Sequence, residues 1–72
     1  MNEKFIVTTI TQFFKREMHV SQPILCSEFE QAEIAAKKML EDPSDCVDQI
    51  DVYIDDFPAL TRIKHITWRR PL

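Results

Sequence analysis

Residues 27–43 read SEFEQAEIAAKKMLEDP, and this stretch decides the fold. Ser27 followed three residues later by Glu30 is the pattern of a capping box. There the Ser27 hydroxyl accepts from the Glu30 backbone N–H, and the Glu30 carboxylate reaches back to the N–H of Ser27. A helix is expected from Glu28 to Glu41, stopped by Pro43, whose ring disfavours helical geometry in the residue before it. At about 100° per residue, Phe29, Ala32, Ala36, Met39 and Leu40 form one apolar stripe with Ala35 at its margin. The alanines in that stripe let the helix sit close to a sheet. Glu33 and Lys37 are a well-oriented i,i+4 pair on its flank. Ile34 does not fit the stripe: it projects to the opposite side, among Glu30, Lys38 and Glu41.

The flanks on either side of this helix read as strands. Residues 4–14 are dominated by β-branched and aromatic side chains, which suit a pleated surface better than a helix. Ile6, Ile10 and Phe14 fall on one parity and Phe5, Val7 and Phe13 on the other, so either both faces are partly covered or a bulge shifts the register. Lys15-Arg16-Glu17 reads as a turn. Met18, Val20, Ile24 and Cys26 then alternate as a half-buried second strand, and Pro23, which has no N–H to give a ladder, places it at an edge or breaks it there. Beyond the helix, Asp42-Pro43-Ser44-Asp45 has turn chemistry. A third strand follows, with Cys46, Ile50, Val52 and Ile54 on one parity and Val47, Asp51, Tyr53 and Asp55 on the other. Asp55-Asp56-Phe57-Pro58 makes the next turn. Residues 60–69 form a fourth strand in which Leu60, Ile66 and Trp68 alternate, while Ile63 is out of phase and implies a bulge near Lys64. The order is ββαββ: one α+β domain over residues 1–72, a four-stranded antiparallel sheet with a single helix packed on one face. One helix covers one face, so the other meets water or a partner.

Composition narrows the chemistry. With 72 residues the chain supports one core, and a core of that size is modest. The 44% hydrophobic and 29% charged content is that of a folded chain and too apolar for disorder. Glycine is absent, which removes every glycine-dependent phosphate loop and leaves turns to Pro, Asp, Ser and Gln. No apolar run reaches the roughly 20 residues of a membrane span, and Met1-Asn2-Glu3-Lys4 lacks the layout of a secretory leader, so a cytoplasmic location is expected. Cys26 and Cys46 fall at opposite ends of the helix, too far apart for a disulfide, and read as buried free thiols.

No cofactor or metal site is expected. His19, His65, Cys26 and Cys46 lack the paired spacing of zinc ligands, and the aspartates from 42 to 56 lack the glycine and terminal glutamate of a calcium loop. Neither histidine has a nucleophile in a recognisable context, and a domain this small leaves little volume for a pocket, so no enzymatic activity is expected. The charges carry more information. Between Glu41 and Asp56 stand seven acids and no base, whereas from Arg62 to Arg70 there are only bases. Opposite signs on the two strands of a hairpin attract each other across the ladder. The functional reading adds a basic protein surface as partner, met by Asp48, Asp51, Tyr53, Asp55 and Asp56 together with the misplaced Ile34. Two further readings stand beside it. One is a homodimer that buries the open sheet face or pairs edge strands. The other is weak single-stranded nucleic-acid binding through Lys64, Trp68, Arg69 and Arg70, with His65 nearby, against which stand the net charge of −3 and pI of about 5.2.

The layout is similar to that of small inhibitor proteins encoded by bacteriophages and mobile elements, anti-CRISPR proteins and a phage inhibitor of bacterial RNA polymerase among them. The shared features are an N-terminal strand (Phe5–Ile10), a short capped helix (Ser27–Leu40) and a C-terminal hairpin (Val47–Trp68). The resemblance implies a non-catalytic protein that occupies a surface of a host protein or nucleoprotein complex. It rests on layout rather than on a residue motif, so it assigns no role to any side chain.

Overall fold

The structure, a computed structural model, describes residues 4–71; the leader reading of Met1-Asn2-Glu3 lies outside them. In chain order the elements are β1 (Phe5–Phe14), β2 (Glu17–Val20), β3 (Ile24–Cys26), α1 (Phe29–Glu41), β4 (Val47–Phe57) and β5 (Arg62–Arg69). The α+β class, the one helix and the antiparallel sheet agree with the sequence, but the sheet has five strands rather than four. The strand expected from Met18 to Cys26 is two. β2 pairs the second half of β1 and β3 pairs its first half, on the same side, with Ser21 to Pro23 between them. Ser21 bridges that gap, its N–H donating to the Ile10 carbonyl (2.8 Å) and its hydroxyl accepting from the Ile10 N–H (3.2 Å). The strand order is β2-β1-β4-β5, so β1 and β4 lie at the centre. No helix among the described residues is long and apolar enough to cross a membrane.

Each face of the sheet follows from the register. Ile10 of β1 and Ile50, Val52 and Ile54 of β4 pack under Ala32 and Ala36 of α1, and this small set with Val47 is the core. Ile6, Phe14, Phe29, Leu40, Ile66 and Trp68 close its margins. Val47 enters the core although parity set it apart, because the β1–β4 register slips between Phe13 and Phe14, where Gln49 and Val47 are successive partners. Asp48 is the extra residue of that bulge, and Cys46, expected inside, is exposed in the preceding turn. A second bulge skips Ile63, since Ile54 pairs Lys64 and Asp55 pairs Arg62. The phase break at Ile63 in the sequence marks it.

Local details depart from expectation where one residue shifts a motif. The N-cap is Glu28, with no side-chain cap, so Glu30 falls one position too early for a capping box. The Ser27 hydroxyl instead donates to Gln31 Oε1 at 3.2 Å. Glu33 does not bond Lys37 but accepts from Lys64 Nζ at 3.1 Å, tying α1 to β5. Leu60, expected on the fourth strand, lies exposed in the turn before it with φ 57°. Lys15 and Arg16 both take positive φ (48° and 73°) in a two-residue hairpin, a geometry that glycine or asparagine adopts more easily. Turns here are thus not confined to Pro, Asp, Ser and Gln.

Candidate functional site: the open sheet face

Directly paired residues share a face, so the register assembles the surface opposite α1 row by row. One row is Leu25, Val7, Asp55 and Arg62; the next carries Thr9, Tyr53 and His65. Then come Val20, Thr11, Asp51 and Thr67, and after them Met18, Phe13, Gln49 and Arg69. The β2/β3 side of this face is apolar, with Met18 63%, Val20 57% and Leu25 64% exposed. Phe5 and Phe57 stack at one end with ring centroids 4.2 Å apart.

The β4/β5 side is a connected polar cluster. Asp51 is only 7% exposed and accepts three contacts: Thr67 Oγ1 at 2.8 Å, Gln49 Nε2 at 2.9 Å and His65 Nε2 at 3.4 Å. Burial pushes the Asp51 carboxyl up, but the hydrogen bonds from Thr67, Gln49 and His65, with the charge of His65, outweigh it and hold the carboxyl below its ordinary value. Tyr53 stacks on the His65 ring at 4.5 Å, and the Arg62 guanidinium lies 4.4 Å from the Tyr53 centroid. Arg62 Nε also donates to Asp55 Oδ1 at 3.2 Å.

Asp51, His65 and Thr67 are the residue types of a nucleophilic triad, yet the geometry is not a relay. A relay needs the histidine to use one ring nitrogen for the hydroxyl and the other for the carboxylate. Here Nε2 faces both, at 3.1 Å from Thr67 Oγ1 and 3.4 Å from Asp51, and the hydroxyl gives its proton to the carboxylate. The cluster ties β4 to β5 across the open face. Among the described residues no group of three or more His, Cys, Asp or Glu is placed to hold a metal. A shallow, open depression of about 600 Å³ is lined by Lys4, Phe5, Leu25, Cys26 and Ser27. It lies away from the Asp51 cluster, and so does a smaller one of about 260 Å³ beside Phe57 and Pro58.

The residues named from sequence do not make a single surface. Asp51, Tyr53 and Asp55 come together on the open face, but their charges are engaged within the chain. Asp48 accepts the Lys15 N–H at 2.9 Å from its bulge, and Asp56 accepts the Thr61 N–H at 2.7 Å in the β4–β5 turn. A charge reversal at Asp51 therefore tests the fold rather than the surface. Ile34 is 56% exposed, as expected, but on α1, with the sheet between it and the open face. The basic residues separate likewise. Lys64 and Trp68 are on the helix side, and Trp68 packs against the core margin rather than offering a free ring. Arg70 donates to the carbonyls of Val47 (2.9 Å) and Ser44 (2.7 Å), and Arg69 is on the open face. Met18, Val20, Leu25 and Arg62 were missed as surface residues. Met18 and Val20 reach this face through the β1–β2 hairpin register, whereas Leu25 and Arg62 reach it only through the break at Ser21 to Pro23 and the bulge at Ile63, which parity along the chain does not show.

Comparison with known proteins identifies no relative. No protein-family model, curated protein or solved structure matches the chain. The site is read from its own geometry.

Proposed function

We propose that this chain is a non-catalytic protein-binding domain whose contact surface is the open sheet face, acting in the manner of an inhibitor that occupies a surface of a larger protein or nucleoprotein complex. The observation that carries the reading is the apolar strip of Met18, Val20 and Leu25 beside the ordered Asp51–Tyr53–Arg62–His65 cluster, on the one sheet face without a helix. Aromatic and arginine side chains held rigid next to apolar area are what interface centres are made of. Four neighbouring strands of up to eleven residues span roughly 700 Å², close to the roughly 800 Å² per partner of a standard interface.

The test is affinity capture from a bacterial lysate with mass spectrometry of the retained proteins, comparing the parent chain with three variants. Met18→Asp with Val20→Asp, and separately Tyr53→Ala, should lose the retained protein while circular dichroism stays unchanged. Ile34→Asp, on the opposite side, should keep it. Loss with Ile34→Asp and retention with both open-face variants would overturn the proposal. A second copy of the chain is the alternative occupant, favoured by the small core and by two free cysteines where small domains often carry a staple. Light scattering at low micromolar concentration separates the two, since only that reading expects a dimer.

A further inference from the structure

The sheet ends in two edges of different character. The β2/β3 edge is short and interrupted, and Pro23 within the interruption has no N–H. The β5 edge has no proline from Arg62 to Arg69 and is regular from Lys64 to Arg69, its bulge lying at Ile63. The Arg70 N–H donates to the Asp48 carbonyl at 3.0 Å, which fixes the phase of the β4–β5 ladder. Hydrogen-bonded and non-hydrogen-bonded pairs alternate in an antiparallel ladder, so Trp68, Ile66 and Lys64 spend their main-chain groups on β4. The N–H and C=O groups of His65, Thr67 and Arg69 therefore point outward from the free edge.

We propose that this edge takes up an extended, acidic segment of a partner protein as an added antiparallel strand. The contact uses the outward main chain of β5 at the sheet edge rather than the apolar strip on β2 and β3, and it adds to the open-face contact. Strand addition uses main-chain hydrogen bonds for affinity and side-chain chemistry for choice of partner, and the side chains here are of one sign. From Arg62 to Arg70 the charged residues are Arg62, Lys64, Arg69 and Arg70. β5 already pairs an acidic strand on its other side, where Asp55 meets Arg62 at 3.2 Å and Asp51 meets Thr67 at 2.8 Å. A second acidic strand repeats that arrangement outward. Among the described residues Arg69 makes no ion pair, and its exposed guanidinium is available to a carboxylate on the incoming strand. A second copy of the chain fits poorly. The self-pairing that sets Thr67 opposite itself and His65 opposite Arg69 also sets Lys64 opposite Arg70, and like charges placed directly opposite destabilise a ladder.

The experiment is an NMR titration of the isotopically labelled chain with a ten-residue peptide alternating Thr and Glu, and with its Thr and Lys counterpart. Binding of the Glu peptide should shift the amides of His65, Thr67 and Arg69 and slow their hydrogen exchange. The Lys peptide should bind at least tenfold more weakly. Lys64→Glu with Arg69→Glu should reverse that preference. Arg69→Gln should weaken the Glu peptide by losing one charge, and Arg69→Pro should weaken it further by also losing an outward N–H that β4 does not use. Equal affinity for the two peptides overturns the proposal, as does a response confined to β2, β3 or the open face. So does an oligothymidylate that shifts the β5 amides as strongly, or a concentration-dependent dimer that protects them without peptide. Loss of lysate capture by Met18→Asp with Val20→Asp, at the opposite edge of the sheet, bears on the open face alone and leaves the β5 readout intact.

Discussion

Asp51→Asn changes one oxygen for an NH2 group at the best-connected carboxylate in the chain. The aspartate is 7% exposed and receives Thr67, Gln49 and His65, two of them at 2.9 Å or less. A hydrogen bond to a charged group contributes about 1.5–3 kcal/mol net. Asparagine keeps one acceptor oxygen and so one of the two short bonds, while its NH2 faces a donor. The expected loss at pH 7 is about 1–3 kcal/mol, or roughly 4–8 °C in Tm for each kcal/mol in a domain this size. The dependence on pH is the sharper test. The carboxyl of Asp51 is held below its ordinary value in the folded chain, whereas in the unfolded chain it titrates near about 3.9. Its stabilisation is therefore complete above the unfolded value and is lost as the pH falls through the folded one. Urea denaturation of parent and variant at pH 7, 5, 4 and 3 should show a gap that does not shrink from 7 to 5 and narrows below 4. A gap under about 0.5 kcal/mol at pH 7, or one of the same size at pH 3, would refute the reasoning. Thr67→Val should remove part of the same stabilisation, and the double variant should cost less than the sum of the two.

Other substitutions test other parts of the structure. Thr8 is fully buried under α1 and its hydroxyl has no partner, so Thr8→Val should stabilise by about 1–2 kcal/mol in urea denaturation. Lys15→Asn with Arg16→Gly relieves two left-handed residues, each costing roughly 1–2 kcal/mol, and should raise Tm in calorimetry. Glu33→Gln removes the ion pair to Lys64, which is partly solvated at both ends, and should cost no more than about 1 kcal/mol.

The sequence made the core legible and the site only in part. Ile50, Val52, Ile54, Ala32 and Ala36 were readable because period two and period 3.6 each select a face, and nothing competes with burial there. Pro23 and Ile63 were readable as faults in a pattern, the one a missing donor and the other a phase slip. Asp48 was not, because the bulge that admits Val47 and turns Cys46 out is set by the pairing of β4 with β1, two segments far apart in sequence. The capping box failed by one residue for a similar reason: where the helix begins depends on how Phe29 packs, which the local pattern does not contain. The acidic hairpin was legible in part. Attraction between its acidic and basic strands followed from the signs alone, and Arg62 with Asp55 fits it, whereas the partners of Asp51 depend on the cross-strand register with His65 and Thr67.

That internal use changes where the chain's field points. On the open face Asp51 and Asp55 are matched by Arg62 and Arg69, so a net charge of −3 must be carried elsewhere. From Glu28 to Asp45, the helix and the turn after it, six acids stand against Lys37 and Lys38, a net of −4. An acidic segment approaching from the α1 side is repelled, whereas at the β5 edge it meets the exposed Arg69, with Arg62 and Lys64 already engaged by Asp55 and Glu33. Fields of this kind act on the encounter more than on the final affinity, and salt screens them over about 8–10 Å. The acidic run read from the sequence as a binding surface therefore has a different consequence in the folded chain. Part of it builds β4 into a partner for β5, and Glu41, Asp42 and Asp45 join Glu28, Glu30 and Glu33 in a field that turns an acidic chain away from the helix and towards the open edge.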